Sequence, residues 1–353
     1  MAEKAPQAEP DQLPGAPHPR ERAVLFGHAE AERAFLDAYG SGRMHHAWLI
    51  GGPEGIGKAT LAYRVAKFLL ERGGRPPEPA SSLDVPDGSR AGRQVAALSH
   101  PGLFVLRRVP ATEKKAASTT IPVDEVRRGL QLFASTAADA GYRVCIVDAA
   151  EDLIPASANA LLKMVEEPPP RSLFLIVSHA PQRVLPTIRS RCRKLLLRPL
   201  ADEALARVIR SLPEPIGTAP DDALATAIGA ADGSARRAVA LLDPDRAGTL
   251  RAVEGLLAAL PTVDWRRVGA LADRLARRGA EQDLEIVLET VERWAAGVIS
   301  ARAGEGARRL APLVEVCEKS ARAAADADIY NLDRRPLVLT LFGDLAEAVR
   351  ATR

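Results

Sequence analysis

The sequence predicts an α/β domain with a mainly parallel sheet, then a small helical domain, then an all-α C-terminal domain. Three observations carry this. A glycine-rich loop separates the apolar run Trp48-Leu49-Ile50 from a helical pattern that begins near Lys58. Further apolar runs at 103–106, 144–148 and 173–177 alternate with helical patterns, as strand–helix–strand units do. Beyond Leu200 the strand signal fades, and from 247 to 353 Leu, Ala and Val recur on one helical face with Arg and Glu on the other.

The loop comes first because the chemistry is there. Gly52, Gly57 and Lys58 fit the phosphate-binding template G-x-x-x-x-G-K-[ST] up to its last position, with Gly55 between them. Glycines let the backbone curl so that successive N–H groups point at phosphate oxygens. The following helix sets its positive dipole end under the anion, and Lys58 adds a point charge. Leu61, Val65, Phe68 and Leu69 continue an apolar face, so the strand–loop–helix context is present. The last position is Ala59, where a Ser or Thr hydroxyl would hold magnesium. Thr60 is next, but it points about 100° further round a helix. ATP or ADP binding, with magnesium as a possible companion, is therefore a separate expectation from hydrolysis, against which Ala59 counts. A plain strand–helix turn is the alternative.

The remaining elements follow in chain order. Residues 1–20, rich in Pro, Ala and charge, read as a disordered leader, and 21–40 as a helix. Leu25-Phe26-Gly27-His28 either flanks an adenine ring or simply starts that helix. Residues 73–97 are Gly/Pro/Ser-rich and read as a long loop or insertion. Residues 114–120 read as a mobile tip, before a helix from 121 to about 138 that Asp124 or a neighbour caps. Val144-Cys145-Ile146-Val147-Asp148 is a buried strand delivering an acid to the sheet edge where ligands bind. Asp148 reads as part of a magnesium shell or as the cap of the next turn. Hydrolysing P-loop proteins place a second acid directly after it; here that residue is Ala149, and Glu151 and Asp152 are expected to point elsewhere.

A helix over 156–167 is stopped by Pro168-Pro169-Pro170. Ser178 ends the next strand, as a sensor of a terminal phosphate or as a satisfied strand-end hydroxyl. Residues 186–192 form a helix-to-strand corner. Helices are expected over 201–211 and 221–243, and the helical tail has candidate breaks at Leu260-Pro261 and at 303–306. Such a tail packs against other subunits or forms a bundle of its own.

At 353 residues the chain exceeds one ordinary core, so two or three domains are expected. The net charge of +3 lends no support to nucleic-acid binding beyond a local patch. Cys145, Cys192 and Cys317 are far apart with no C-x-x-C pair, so no zinc module is expected, and the sparse count suits a reducing cytosol. With no apolar run of membrane-spanning length and no hydrophobic signal core, a soluble cytoplasmic protein is expected.

Several stretches together resemble the AAA+ clamp-loader family of DNA polymerase III. Residues 51–60 look like its P-loop, and Val147-Asp148-Ala149-Ala150-Glu151-Asp152-Leu153 like a degenerate Walker B box. Ser157-Ala158-Asn159-Ala160-Leu161-Leu162-Lys163 with Glu166-Glu167-Pro168-Pro169 matches the family's next helix, and Ser190-Arg191-Cys192 its S-R-C motif. Residues 231–236 are similar to the lid segment that carries the sensor 2 arginine, here Arg236, and Tyr330-Asn331-Leu332-Asp333 to the end of a collar domain.

The resemblance implies a RecA-like AAA+ domain over 21–199, a helical lid over 200–245 and a helical collar over 246–353. It implies that Arg191 is an arginine finger acting in trans on a neighbour's ATP; without the motif, a salt bridge at a helix end is the preferred reading of Arg191. Arg189 and Arg193 are expected to be solvated or to face DNA. Ala59 and Ala149 point to the delta-prime, stator type of subunit rather than the tau/gamma motor type. Such a subunit is part of a polymerase holoenzyme without being the polymerase, and its own ATPase is weak or absent. Implied partners are the tau/gamma-type and delta subunits, the sliding clamp and primed DNA. Many delta-prime subunits carry a four-cysteine zinc module where residues 73–100 have no cysteine. Two rivals stay open: a competent ATPase of the motor type or another P-loop class, and a DNA-binding scaffold with a relic P-loop.

Overall fold

Strand β1 (Ala47–Gly51) lies between β4 (Ser172–Ser178) and β5 (Arg193–Leu196) in a five-stranded sheet of order β2-β3-β4-β1-β5, with β2 (Leu103–Arg107) at the far edge and β3 (Arg143–Asp148) beside it. All pairings are parallel. The structure, a computed structural model, describes residues 9, 12, 13, 15–86, 88–109, 118–135, 141–277, 279–330 and 332–352. The chain divides into two compact units, Met1–Val239 and Ala240–Arg353.

The first unit holds the sheet between two helical layers. Helices α1 (Ala29–Gly40), α2 (Lys58–Arg72) and α3 (Arg90–Ala96) cover one face; α4 (Val123–Ser135), α5 (Pro155–Glu166) and α6 (Pro186–Arg189) cover the other. Strand alternation explains the division. Trp48 and Ile50 point to the α1–α2 side and pack with Phe35, Leu61 and Val65, while Ala47 and Leu49 point to the α4–α5 side with Val126 and Leu161. Because both faces are covered, β1, β3 and β4 read as near-continuous apolar runs. The Phe35 and Trp48 rings lie 4.1 Å apart, and Trp48 is fully buried.

The register aligns the strand ends. Gly51 pairs with Ser178, and Val147 with Ile176, so Asp148 comes to the same carboxyl edge as the loop that leaves β1. Arg107 lies opposite Asp148 at that edge. Three helices complete the unit: α7 (Asp202–Arg210), α8 (Asp221–Ala230) and the start of α9 (Ala235–Leu241).

Several local expectations are corrected. The helix expected over 21–40 begins at Ala29: Gly27, at φ 79°, breaks the path, and Pro19–Glu21 forms a separate 3-10 turn. That turn carries a capping box, with His18 accepting from Arg20 N–H and Glu21 accepting from the His18 N–H at 3.0 Å. The leader expected to be disordered is therefore ordered in its described part, where Ala16 and His18 are buried. Most of residues 1–14 lie outside the described residues, as do 110–117, which include 114–117 of the expected mobile tip, and residues 136–140 at the end of the helix expected to about 138. Residues 73–97 are not only loop: α3 lies within them, capped by Ser89 and packed on α2, and Leu83 is buried.

The second unit is all-helical: α10 (Pro244–Ala258), α11 (Trp265–Leu275), α12 (Glu281–Ala301), α13 (Ala307–Tyr330) and α14 (Arg334–Ala351). Its core joins Val253, Leu257, Leu271, Val287, Leu313, Leu341 and Phe342. Breaks also fall after Leu275 and before Arg334. Gly279 sits at φ 87° in the first, and Asp333 caps α14 through the Arg335 N–H in the second. Among the described residues no helix is long and apolar enough to cross a membrane.

Candidate nucleotide cleft and the arginine face

The loop after β1 is shaped by glycines at φ 144° (Gly52), 75° (Gly55) and 102° (Gly57). At Gly52 a Cβ would also lie 2.5 Å from the Leu197 carbonyl oxygen, so any side chain there meets backbone. The loop opens α2, a 15-residue helix whose N-cap, Gly57, offers no side chain to its first N–H groups. His28 braces the loop from α1, its Nε2 lying 2.7 Å from the Ile56 carbonyl oxygen. A carbonyl only accepts, so Nε2 carries the proton, and burial holds the imidazole pKa below its ordinary value.

Lys58 is buried, and its Nζ donates to the carbonyls of Gly52, at 2.7 Å, and Pro53. Burial brings its pKa down to about 8, against the pull of Glu54, Asp148 and Glu151. A cation folded onto its own loop carbonyls beside a helix N-terminus gives the cleft the chemistry to receive an anion. Gly55, Gly57, Lys58, Ala59 and Thr60 line this cleft together with Asp148 and Arg236. These residues come together from the loop after β1, the start of α2, the end of β3 and α9. Gly52 shapes the loop from behind.

Arg236 reaches the cleft because α9 is tied to the loop: the Ala235 N–H donates to the Gly55 carbonyl at 2.9 Å. Its guanidinium pairs with Glu54 at 3.5 Å.

Ser178 does not line the cleft. It is fully buried and donates to Glu151, which also accepts from the Ala180 N–H at 2.8 Å. A buried hydroxyl without a partner is costly, and Glu151 supplies one. Burial would raise the Glu151 carboxyl, but the hydrogen bonds from Ser178 and Ala180 leave it below its ordinary pKa. At this strand end the residue lining the cleft is His179. Asp152, expected to point elsewhere, also lines the cleft, paired with Arg108 at 3.2 Å; burial raises its pKa.

Other residues escaped sequence reasoning. Leu13, Ala16, Pro17 and Pro19 of the leader and Arg22 just after it wall the cleft together with Leu200 and, from α7 and the turn after it, Val208 and Leu212. Leu25–His28 is not part of that wall; it precedes α1, and its His28 braces the loop. Arg107 and Arg108 line the cleft too. The strand-end rule that found Asp148 applies equally to this pair, which ends β2; the leader, by contrast, carries no local signal.

Arg191 lies on a different face, beside Arg43, His45, His46, Glu166 and Arg193. Its Nη2 is 2.9 Å from Glu166, and its Nη1 donates to the Thr187 carbonyl at 3.0 Å and to Ser190 Oγ at 3.3 Å. Arg193 is not simply solvated: its guanidinium lies 4.5 Å over the Trp48 ring. Arg189 donates to the Gln182 carbonyl at 3.2 Å.

Comparison with known proteins matches residues 27–201 to the family described as "DNA polymerase III, delta subunit". The delta' subunit of Pseudomonas aeruginosa is 35% identical over 201 residues, 56% of this chain and 57% of that one. The delta' subunit of Escherichia coli is 33% identical over 230 residues, 65% of this chain and 64% of that one. The gamma/tau subunit of Mycobacterium bovis is 32% identical over 231 residues, 65% of this chain and 38% of that one. The chain therefore spans about three fifths of the delta' relatives and under half of the gamma/tau relative. With its P-loop, parallel sheet and helical tail, the chain is a member of the DNA polymerase III delta-prime/clamp-loader family.

Proposed function

We propose that this chain is a delta-prime-type stator of a bacterial clamp loader, a cytoplasmic complex that uses ATP to place a sliding clamp on primed DNA. In this reading its partners are tau/gamma-type motor subunits, a delta subunit, the clamp and, within the complex, the primed DNA. Residues 200–245 serve as lid and 246–353 as collar. The observation that carries the reading is that the Lys58 cleft and Arg191 lie on different faces of one chain. The Lys58 cleft has Ala59 and Ala149 where a hydrolysing site needs a hydroxyl and a second acid. Arg191 is half-exposed on another face, paired with Glu166 and open to a neighbour's approach.

The cleft fits a nucleotide: three positive-φ glycines, a buried lysine, a helix N-terminus and an apolar wall converge there. Lys58, Arg236 and the loop N–H groups would hold its phosphates. Asp148, which lines the cleft, would hold a magnesium ion that neutralises phosphate charge. Arg191 would place a planar guanidinium fork on the neighbour's terminal phosphate, where charge develops.

The test is ATP turnover by the purified chain alone, then with a tau/gamma-type subunit, delta, clamp and primed DNA. The expected result is negligible turnover alone, and turnover in the mixture that Arg191→Ala reduces by about 10³-fold or more, the range for fingers in trans. Normal turnover with Arg191→Ala overturns the finger. Brisk turnover by the chain alone favours the motor-type reading, to which the gamma/tau similarity lends weight.

A further inference from the structure

We infer that Glu166 is a positioning residue for Arg191, fixing the guanidinium in the orientation in which it meets a phosphate of the neighbouring subunit. This rests on the finger reading above and extends it to a second residue.

The geometry is a two-sided clamp. Glu166, on the last turn of α5, takes one Nη of Arg191 at 2.9 Å; the Thr187 carbonyl, on α6, takes the other at 3.0 Å. The two acceptors come from different elements, so the fork is held across its width rather than from one end. The Nε–H and one Nη2 proton remain for an incoming oxygen. Both side chains are about 40% exposed, at 41% and 39%, so the pair is open to a docking partner and not sealed in the core.

The position of Glu166 is costly for α5 itself. A carboxylate at a helix C-terminus faces the negative end of the dipole. Glu167 follows, and Pro168 ends the helix. Arg191 offsets that charge, and a half-exposed ion pair contributes little to folding. Its effect is on direction: without it, a long arginine side chain on an open face samples many rotamers, and few of them aim at one phosphate. The same face carries Arg43 and Arg193 besides Arg191, three guanidinium groups against the carboxylates of Glu166 and Glu167, so the balance favours an incoming anion.

The experiment uses the reconstituted complex, with clamp, primed DNA and ATP, and compares Arg191→Ala, Glu166→Ala and Glu166→Gln with the wild type. Glu166→Ala is expected to lower kcat about 10-fold, within the ~10²-fold that a 1 Å misplacement can cost. KM for ATP and assembly, followed by size-exclusion chromatography, should not move. Glu166→Gln keeps an acceptor oxygen and should stay within about 3-fold of the wild type. Unchanged or faster turnover by Glu166→Ala, with Arg191→Ala impaired, overturns the positioning role while leaving the finger intact. Loss of assembly or a raised KM that accounts for the whole effect marks a merely structural pair and overturns it too. If Arg191→Ala itself turns over normally, the finger reading has failed, and with it the basis for this one.

Discussion

The ammonium of Lys58 gives the sharpest test of the cleft. Its pKa falls from an ordinary 10.5 to about 8, chiefly through burial. At 1.36 kcal/mol per tenfold in proton affinity, that is about 3 kcal/mol of penalty on the charged form. The sign follows directly. The folded state binds the proton less well than the unfolded state, so the penalty is present in full below pH 8 and is relieved as pH rises toward 10.5. A polyphosphate needs the charged form, so binding runs the other way. Between pH 7.5 and 9.5 the protonated fraction of such a group falls about 25-fold, and ADP affinity should fall by the same factor. Phosphate's own ionisation near pH 6 is complete across that window. His28 and His179, both held below their ordinary values by burial, stay neutral throughout. Fluorescence anisotropy with labelled ADP reads the profile, and Lys58→Met should bind weakly with a flat one. A flat wild-type profile, or the same slope in Lys58→Met, would refute the placement of phosphates at Lys58.

Two further predictions concern the same cleft. Ala59→Ser restores a hydroxyl at the start of α2 and should tighten ADP binding about 10-fold in magnesium relative to EDTA, the worth of roughly one charge-assisted contact; calorimetry with and without magnesium checks it. Glu9 anchors the leader through Arg20 at 2.5 Å and through Arg107, and the Arg20 hydrogen bond leads in holding its carboxyl down to about 2. With Glu9 a quarter exposed, Glu9→Ala should lower stability at pH 7 by about 1–2 kcal/mol. That contribution is whole above pH 4.5 and is lost as pH falls toward 2, so thermal melting should show the gap between wild type and variant narrowing over that range.

The parts of this protein that were legible in its sequence are those whose signal is local. Apolar runs marked four of the five strands within a residue or two, and glycine spacing marked the loop, because one-turn conformations select residue types wherever they occur. Asp148 was legible because a parallel strand's last residue arrives at the ligand edge by construction. Ser178 obeys the same rule, yet is turned away. Its partner Glu151 comes from a different turn, and no pattern along the chain announces such a pairing.

By itself, then, the sequence determined the α/β order and a glycine-rich loop that lacks the template's last hydroxyl, since each depends on neighbours a few residues away; Arg191 as a candidate finger came from the family resemblance. Tertiary structure decided that a proline-rich leader walls the cleft, that Asp152 and His179 enter it while Ser178 does not, and that Arg193 covers Trp48. It also decided that Glu166, 25 residues before Arg191 in the chain, clamps its guanidinium. These are contacts between segments distant in sequence. They are fixed by how buried groups find partners once the sheet brings them together, and that information belongs to the folded chain as a whole.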